Sequence, residues 1–162
     1  MTWWKWTLLV LGSLSLLTLV AGQFGWLAGR EPGNLGVREG RLKPPSRTPN
    51  SVSSQARLWH GHPQRAAAQI DPLPIVGDGA ATIARLRAIV AAMPGAEVVE
   101  ARDDYLYARF ESRWLRFVDD AEFWVDPAER VVQVRSSARV GRGDLGVNRQ
   151  RIEAIRAQLL GG

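Results

Sequence analysis

The side chains best suited to chemistry are carboxylates and guanidinium groups in the last third of the chain. Asp119 and Asp120 are adjacent, but consecutive residues of a β-strand point to opposite faces, so they are not expected to act as an acid–base pair. His60 and His62 precede the folded part, which leaves no serine–histidine arrangement within it. No residue is therefore predicted to be catalytic. The candidates for a structural network or an anion-binding site are Asp119, Asp120, Arg135, Ser136, Arg139, Arg142, Asp144, Asn148 and Arg149.

The glycine-rich segment GRGDLG, residues 141–146, matches two known motifs. As G-x-G-x-x-G it would need a further parallel strand and an acidic residue about 20 positions later, and the chain reaches Gly162 too soon for either. As the adhesion tripeptide it would need a protruding loop, whereas Asp144 is well placed to cap the last helix. The segment is therefore predicted to lock the structure, with an anion seat as the alternative.

Metal and cofactor binding are not expected. The chain has no cysteine, so neither a disulfide framework nor a thiolate metal site is available. His60 and His62 could share a metal ion, but a site needs at least a third ligand. Both histidines are interpreted as solvated side chains, and no metal or cofactor is predicted.

The net charge of +5 is concentrated in residues 30–65, which carry seven basic and two acidic residues. A nucleic-acid-binding domain concentrates its positive charge on the folded part, so nucleic acid is not an expected partner. Five of these basic residues lie within 20 positions of an apolar amino-terminal segment. Anionic lipid headgroups are therefore an expected partner of residues 30–65. A protein of the cell envelope is a second possible partner.

Residues 1–29 are predicted to form a membrane anchor. The residues between Lys5 and Arg30 are all uncharged. A helix that spans a bilayer needs about 20 consecutive, predominantly apolar residues. The alternative is a signal peptide cleaved near Ala21, which is disfavoured because apolar residues continue beyond that site. Tryptophans near both ends match the aromatic belts of membrane interfaces: Trp3, Trp4, Trp6 and Trp26.

Two arguments bear on the side of the membrane that the domain occupies. Basic residues after the apolar segment outnumber Lys5, and the positive-inside rule then favours the cytoplasm. A short amino-terminal tail is instead typical of a signal-anchor with an exported domain. The expectation is a single-pass membrane protein whose domain is periplasmic or otherwise extracytoplasmic.

Residues 30–65 are rich in glycine, proline, serine and arginine without apolar periodicity, and by composition they form a tether. The tether contains the segment GRLKPPSRTPNSVSSQA, and two later segments read RFVDDAEFWV and VRSSARVGRGDLGVNRQR. In these three segments, and in their order, the chain resembles the Domain of Unknown Function 1499 family, an uncharacterised family of bacteria and plants. The motif residues within the tether are Pro49, Asn50, Val52, Ser53, Ser54 and Gln55.

The resemblance implies no activity. Family members usually carry a cysteine on each side of the Pro-Asn step, whereas this chain has Pro45 and Ser51 in those places. A disulfide between such cysteines would favour an oxidising compartment outside the cytoplasm, and this chain lacks that support.

Residues 66–162 are predicted to form an α+β domain. One helix follows Asp78 as its N-cap, a second begins near Asp144, and four strand patterns lie between them. Short connections imply a small antiparallel sheet, and one-sided alternation implies that both helices cover a single face. The residues predicted to face inward are Ile83, Leu86, Ile89 or Val90, and Met93 on the first helix, Leu115, Phe117, Phe123 and Val125 on the longest strand pattern, and Leu145, Ile152, Ile155 and Leu159 on the last helix.

Asp119 and Asn148 are predicted to meet inside this domain, because strand parity turns the first inward and helical geometry turns the second inward. A buried carboxylate needs partners, and the candidates are Asn148, Arg149, Arg135 and Ser136. Three roles stay open for the cluster. They are a structural lock, acid–base catalysis by an aspartate, and a seat for phosphate or carboxylate on Arg135, Arg139 and Arg142.

The predicted function is that of a membrane-tethered, non-catalytic binding or scaffolding domain of the cell envelope. The alternatives are a small hydrolase that uses Asp119 or Asp120, and a module that binds anionic lipids.

Overall fold

The computed structural model describes residues 2–161. Within this range the protein has three α-helices and one six-stranded antiparallel sheet. The helices are α1 (Trp3–Gln23), α2 (Gly79–Ala91) and α3 (Val147–Gly161). The strands are β1 (Ser51–Ser53), β2 (Leu73–Pro74), β3 (Ala96–Ala101), β4 (Tyr105–Glu111), β5 (Val118–Asp126) and β6 (Val131–Ala138).

The sheet has the strand order β1-β6-β5-β4-β3, and β2 also pairs with β6. The α+β class, the antiparallel pairing and the four longer strands are as the sequence predicts. The strand count is six because the short strands β1 and β2 lie one after the other along the free edge of β6. β1 belongs to the segment described by composition as a tether, and its central residue Val52 pairs with Ser136 in the sheet.

The helix face of the sheet carries the main apolar core, which α2 and α3 cover. Asp78 caps α2 by accepting a hydrogen bond from the Ala81 amide at 2.7 Å, as predicted. The buried core residues include Ile83, Leu86 and Val90 of α2, Phe123 and Val134 of the sheet, and Ile152, Ile155 and Leu159 of α3.

Three residues predicted to face inward do not lie where the patterns place them. Leu145 is 98% exposed and has a left-handed φ of 52°, because it lies in the turn before α3. Leu115 and Phe117 precede β5, which begins at Val118, and Phe117 is 37% exposed. The periodicity of a helix or strand does not extend into the loop that leads to it, so it does not predict the direction of these three side chains.

The opposite face of the sheet is covered by residues 30–44, here called the strap. Leu42 of the strap is 1% exposed and packs with Tyr105, Tyr107 and Trp124. Both faces of β4, β5 and β6 are therefore buried. The prediction that both helices cover a single face is correct. The second face is not open to solvent, because the strap, which contains no helix or strand, covers it.

α1 is long and apolar enough to cross a membrane, with a mean hydropathy of 1.6 over its best window. Its last turn packs against the loop between β4 and β5. Gln23 Nε2 donates to the Trp114 carbonyl at 3.1 Å, and Arg116 Nη1 donates to the Gln23 carbonyl at 3.1 Å. Gly22 approaches this loop so closely that a Cβ atom there would lie 2.8 Å from the Leu115 carbonyl oxygen.

Candidate functional site

A cleft of about 1350 Å³ opens at the end of the domain next to α1. Its walls come from the segment after α1, from the connection between α2 and β3, from the loop between β4 and β5, from the end of the sheet and from the region of α3, and they are mostly apolar. They include Trp26, Leu27, Met93, Phe110, Phe117 and Ala154. Asp119, Asp144 and Arg151 also line the cleft, and the first two are among the candidate residues.

Asp119 lies on the helix face and is 9% exposed, as strand parity predicts. Its partner is Arg151, whose Nη2 donates to Asp119 Oδ2 at 2.7 Å, and none of the four predicted partners bonds it. The Arg151 guanidinium also lies 4.4 Å from the centroid of the Phe110 ring. The helical pattern does not identify Arg151, because this residue lies beside the inward-facing stripe of α3 and only its long side chain reaches the core.

Asn148 is completely buried and connects three parts of the domain. Its Nδ2 donates to Asp144 Oδ2 at 2.8 Å and to the Asn50 carbonyl at 3.3 Å. Its Oδ1 accepts from Ser136 Oγ and from Arg151 Nη1. An amide side chain has both donors and acceptors, so Asn148 joins α3 to β6 and to the residue before β1.

Asp144 and the GRGDLG segment form the turn that starts α3. The Asp144 carboxylate accepts from the amides of Gly146 and Asn148, both at 3.0 Å. Burial acts to raise the pKa of Asp144, but the hydrogen bonds from Asn148 and Gly146 outweigh it and lower that pKa. Gly141 has a φ of 92°, and its carbonyl accepts from Asn50 Nδ2 at 2.8 Å. The segment therefore ties the family motif to the amino terminus of α3.

Asp120 lies on the strap face and is 2% exposed. Arg139 holds it with two hydrogen bonds, from Nε at 2.9 Å and from Nη2 at 2.7 Å. The Tyr107 hydroxyl donates a third bond to Asp120 at 2.6 Å. The two adjacent aspartates thus lie on opposite faces of β5, each beside its own arginine, and they cannot form a carboxylate pair.

Glu122 is a buried carboxylate that the sequence patterns did not single out. Its Oε1 accepts from the Gly36 amide at 2.7 Å and from the Tyr105 hydroxyl at 2.9 Å. Its Oε2 has no hydrogen bond within the described residues and lies 3.5 Å from Arg135 Nη1. Arg135 in turn donates from Nε to the Pro44 carbonyl at 3.1 Å. Two backbone groups of the strap therefore complete a buried ion pair on the sheet.

These contacts shift the pKa of three side chains on the strap face. Burial lowers the pKa of Arg135, and the nearby charges of Glu122 and Asp120 oppose that change. Burial raises the pKa of Tyr105, and the Glu122 carboxylate raises it further. Burial and the hydrogen bond to Asp120 also raise the pKa of Tyr107. Both tyrosines are therefore held in the neutral form that donates hydrogen bonds.

The arginines predicted to form an anion seat do not come together at the amino terminus of α3. Arg135 and Arg139 face the strap and contact Glu122 and Asp120. Arg142 is exposed in the turn before α3. Arg149 donates to the carbonyls of Ala67 and Gln69, at 3.0 and 2.9 Å. Among residues 2–161, no three histidine or carboxylate side chains are grouped to hold a metal ion.

The family motif, residues 49–55, joins the strap to the sheet. Val52 belongs to the apolar core, whereas Ser54 Oγ accepts from the Val134 amide at 2.8 Å. Gln55 Oε1 accepts from the Leu42 amide at 2.8 Å, and its Nε2 donates to the Gly40 carbonyl at 3.0 Å. The Ser51 hydroxyl accepts from the Ser46 amide at 2.8 Å, next to Pro45. The places of the family's two cysteines are thus neighbours here.

The comparisons with known proteins identify a family. A family model described as Protein of unknown function (DUF1499) matches residues 41–159, which extend from the end of the strap to the last turn of α3. Neither the curated proteins nor the solved structures gave a match. Because the family match covers most of the sequence and includes all six strands, the chain belongs to the DUF1499 family of proteins of unknown function.

Proposed function

We propose that this protein is a single-span membrane protein whose domain is a non-catalytic binding module of the cell envelope. The observation that carries the proposal is the composition of the cleft, which joins residues just after α1 to the sheet and α3. A cleft built in this way opens beside the membrane that α1 would span. We infer that its ligand is an amphiphilic lipid that enters from the bilayer.

The lining supports an apolar ligand. Small-molecule sites are typically concave and apolar with a few polar groups that fix orientation. Here Trp26, Phe110 and Phe117 supply apolar surface, and the Asp119–Arg151 pair supplies a polar group in the same wall. The volume of about 1350 Å³ is sufficient for a molecule of lipid size.

The binding test uses two substitutions on the same exposed face of α3. Ala154 lines the cleft and Ala157 does not, and both are exposed. Native mass spectrometry of the full chain in detergent is expected to show a lipid adduct that Ala154→Trp removes and Ala157→Trp retains. Equal adducts in both variants, or a bound protein in place of lipid, would contradict the proposal.

The non-catalytic assignment is supported by the state of the carboxylates. Asp119 borders the cleft but is held by Arg151, and Asp120 lies on the opposite face beside Arg139. A general acid or base must come within hydrogen-bond reach of the proton that it transfers, and each of these carboxylates instead pairs with an arginine. The alternative, a hydrolase that uses an aspartate, predicts turnover of ester or phosphoester substrates that Asp119→Asn abolishes. Such turnover would overturn the binding proposal.

The membrane topology has its own test. The full chain is expected to stay in the membrane pellet after alkaline carbonate washing, with an uncleaved amino terminus. Release from the pellet would contradict the anchor, and a mature terminus near Gln23 would identify a cleaved signal peptide. Because the chain has no cysteine, a Glu129→Cys variant can report the side of the domain. An extracytoplasmic domain is expected to react with an impermeant maleimide added to cells.

The exposed arginines of the strap support a second candidate function, the binding of anionic lipid headgroups. Arg30, Arg38 and Arg41 are exposed, and basic residues near a membrane surface contribute about 1 kcal/mol each. A chain that begins at Arg30 is expected to bind anionic vesicles with an affinity that falls steeply as salt rises. Binding that is independent of salt, or the absence of binding, would count against this function.

A further inference from the structure

We propose that the loop between β4 and β5, residues 112–117, is a second membrane attachment that lies in the headgroup region of the bilayer. This inference rests on the proposed span of α1. It goes further in assigning a lipid-contacting surface to the folded domain itself, formed by a loop that is not part of the strap.

The position of the loop follows from the length of α1. A helix rises 1.5 Å per residue, so the 21 residues of α1 extend about 31 Å, close to the 30 Å hydrocarbon thickness of a bilayer. Gln23 then lies at the boundary between hydrocarbon and headgroups. The hydrogen bonds from Gln23 to Trp114 and from Arg116 to Gln23, together with the close approach at Gly22, hold the loop at the same depth.

The side chains of the loop suit that position. Trp114 is 65% exposed, and the Arg113 guanidinium lies 5.0 Å from the centroid of its ring. Phe24 and Trp26 of the segment after α1 are 72% and 78% exposed, with ring centroids 6.0 Å apart. Tryptophan and arginine combine an apolar body with a polar group, and both are favoured where hydrocarbon meets water.

The opposite end of the sheet has a different surface. The turn between β5 and β6 reads Pro127-Ala128-Glu129-Arg130 and contains no aromatic residue. Successive antiparallel strands place their connections at alternate ends of a sheet, so this turn lies at the end of β5 remote from Trp114. Among residues 24–161, the exposed aromatic side chains lie at the end from which α1 leaves, and the other end provides a matched control; they are Phe24, Trp26, Trp114 and Phe117.

The chain has no cysteine, so single labels can be placed without altering its background. Leu14→Cys marks the middle of α1, Trp114→Cys marks the loop and Glu129→Cys marks the remote turn. Each variant is labelled with an environment-sensitive fluorophore in the full chain and reconstituted in phosphatidylcholine nanodiscs. Lipids that carry a nitroxide at a known depth then quench the fluorescence of labels at the same depth. The Trp114 label is expected to be quenched by headgroup nitroxides several-fold more than the Glu129 label, and the Leu14 label by deep acyl nitroxides.

The outcomes separate the loop from the anchor. Quenching at Leu14 with equal quenching at Trp114 and Glu129 would overturn the loop attachment and leave the anchor in place. A Leu14 label that deep nitroxides do not quench would overturn the anchor, and the loop attachment with it. Arg113→Cys, which retains Trp114, repeats the measurement at another exposed position of the loop. If its label matched that of Glu129, the attachment would be refuted as well.

Discussion

The two faces of the sheet are buried to a similar degree but by different means. The helix face buries apolar side chains such as Phe123 and Val134 against α2 and α3. The strap face buries Asp120, Glu122 and Arg135 under a segment with little secondary structure. Apolar burial is non-directional and depends on area, whereas each buried charge needs a particular partner. Most changes on the helix face should therefore cost stability in proportion to the apolar packing that they remove, whereas changes on the strap face should depend on the single charge contact that they break.

The largest expected effect is that of Glu122→Ala on the strap face. Removing Glu122 leaves Arg135 buried without its carboxylate, and breaking a buried pair costs about 3–5 kcal/mol. The free energy of unfolding, measured by denaturant titration, checks this value. The double variant Glu122→Ala with Arg135→Met is expected to cost less than the sum of the single changes. Additive costs would show that the pair is not coupled, and the contrast between the faces would fail.

The adjacent aspartates compare the two faces within one strand. Asp120 accepts three hydrogen bonds and its side chain is 3% exposed, whereas Asp119 pairs with Arg151 and its side chain is 12% exposed. Asp119→Ala is expected to destabilise by about 3 kcal/mol, and Asp120→Ala by more. Parallel denaturation of the two variants decides the order. A larger loss at Asp119 would mean that the strap face is the less demanding of the two.

Alkaline pH should weaken the strap face selectively. Tyr105 and Tyr107 have a raised pKa in the folded protein, so their contribution is complete below pH 10, near the pKa of tyrosine in the unfolded chain. It is lost as the pH rises above that value, by about 1 kcal/mol per pH unit for each tyrosine. Melting temperatures between pH 9 and 11 test this, because the double Tyr→Phe variant should show a flatter pH dependence. Identical slopes would refute it.

The smallest expected effect is at the turn before α3. Asp144→Ala removes the acceptor of the Gly146 and Asn148 amides and should cost about 1 kcal/mol, whereas Asp144→Asn should cost less. The lowered pKa of Asp144 means that its contribution is present above about pH 4 and is lost as the pH falls. Thermal melts at pH 7 and pH 3 are expected to show a smaller difference between wild type and Asp144→Ala at the lower pH.

Periodicity predicts the helix face within the helices and strands, but not in the loops that lead to them. The stripes of α2 and α3 and the alternation of β5 predicted the core, including the inward position of Asp119. Its partner Arg151 was not predictable, because an arginine side chain spans several ångströms and its direction depends on packing. The three-residue strand β1 is too short to show a period, and next to it the Ser54 hydroxyl accepts a hydrogen bond from the Val134 amide of β6.

The strap face left a weaker signal in the sequence. The strap acts largely through backbone groups, such as the Gly36 amide and the Pro44 carbonyl, and these exist at most positions of any chain. The sequence feature that indicates a covered second face lies on strand β4. Tyr105 and Tyr107 alternate with Leu106 and Ala108 and so lie on the other face of β4, and aromatic residues on both faces are more typical of a sheet buried on both sides.

The cover of the strap face also has a consequence for the order of folding. Gly36 and Glu122 are 86 positions apart, and Pro44 and Arg135 are 91 positions apart. The hairpins from β3 to β6 join neighbours in sequence, and contacts of short sequence separation generally form sooner than contacts that close long loops. The strap and β1 emerge first during synthesis but can pair only after β6 exists. Between the formation of the hairpins and the docking of the strap and β1, the edge of β6 is unpaired and the charges that the strap will cover are still hydrated.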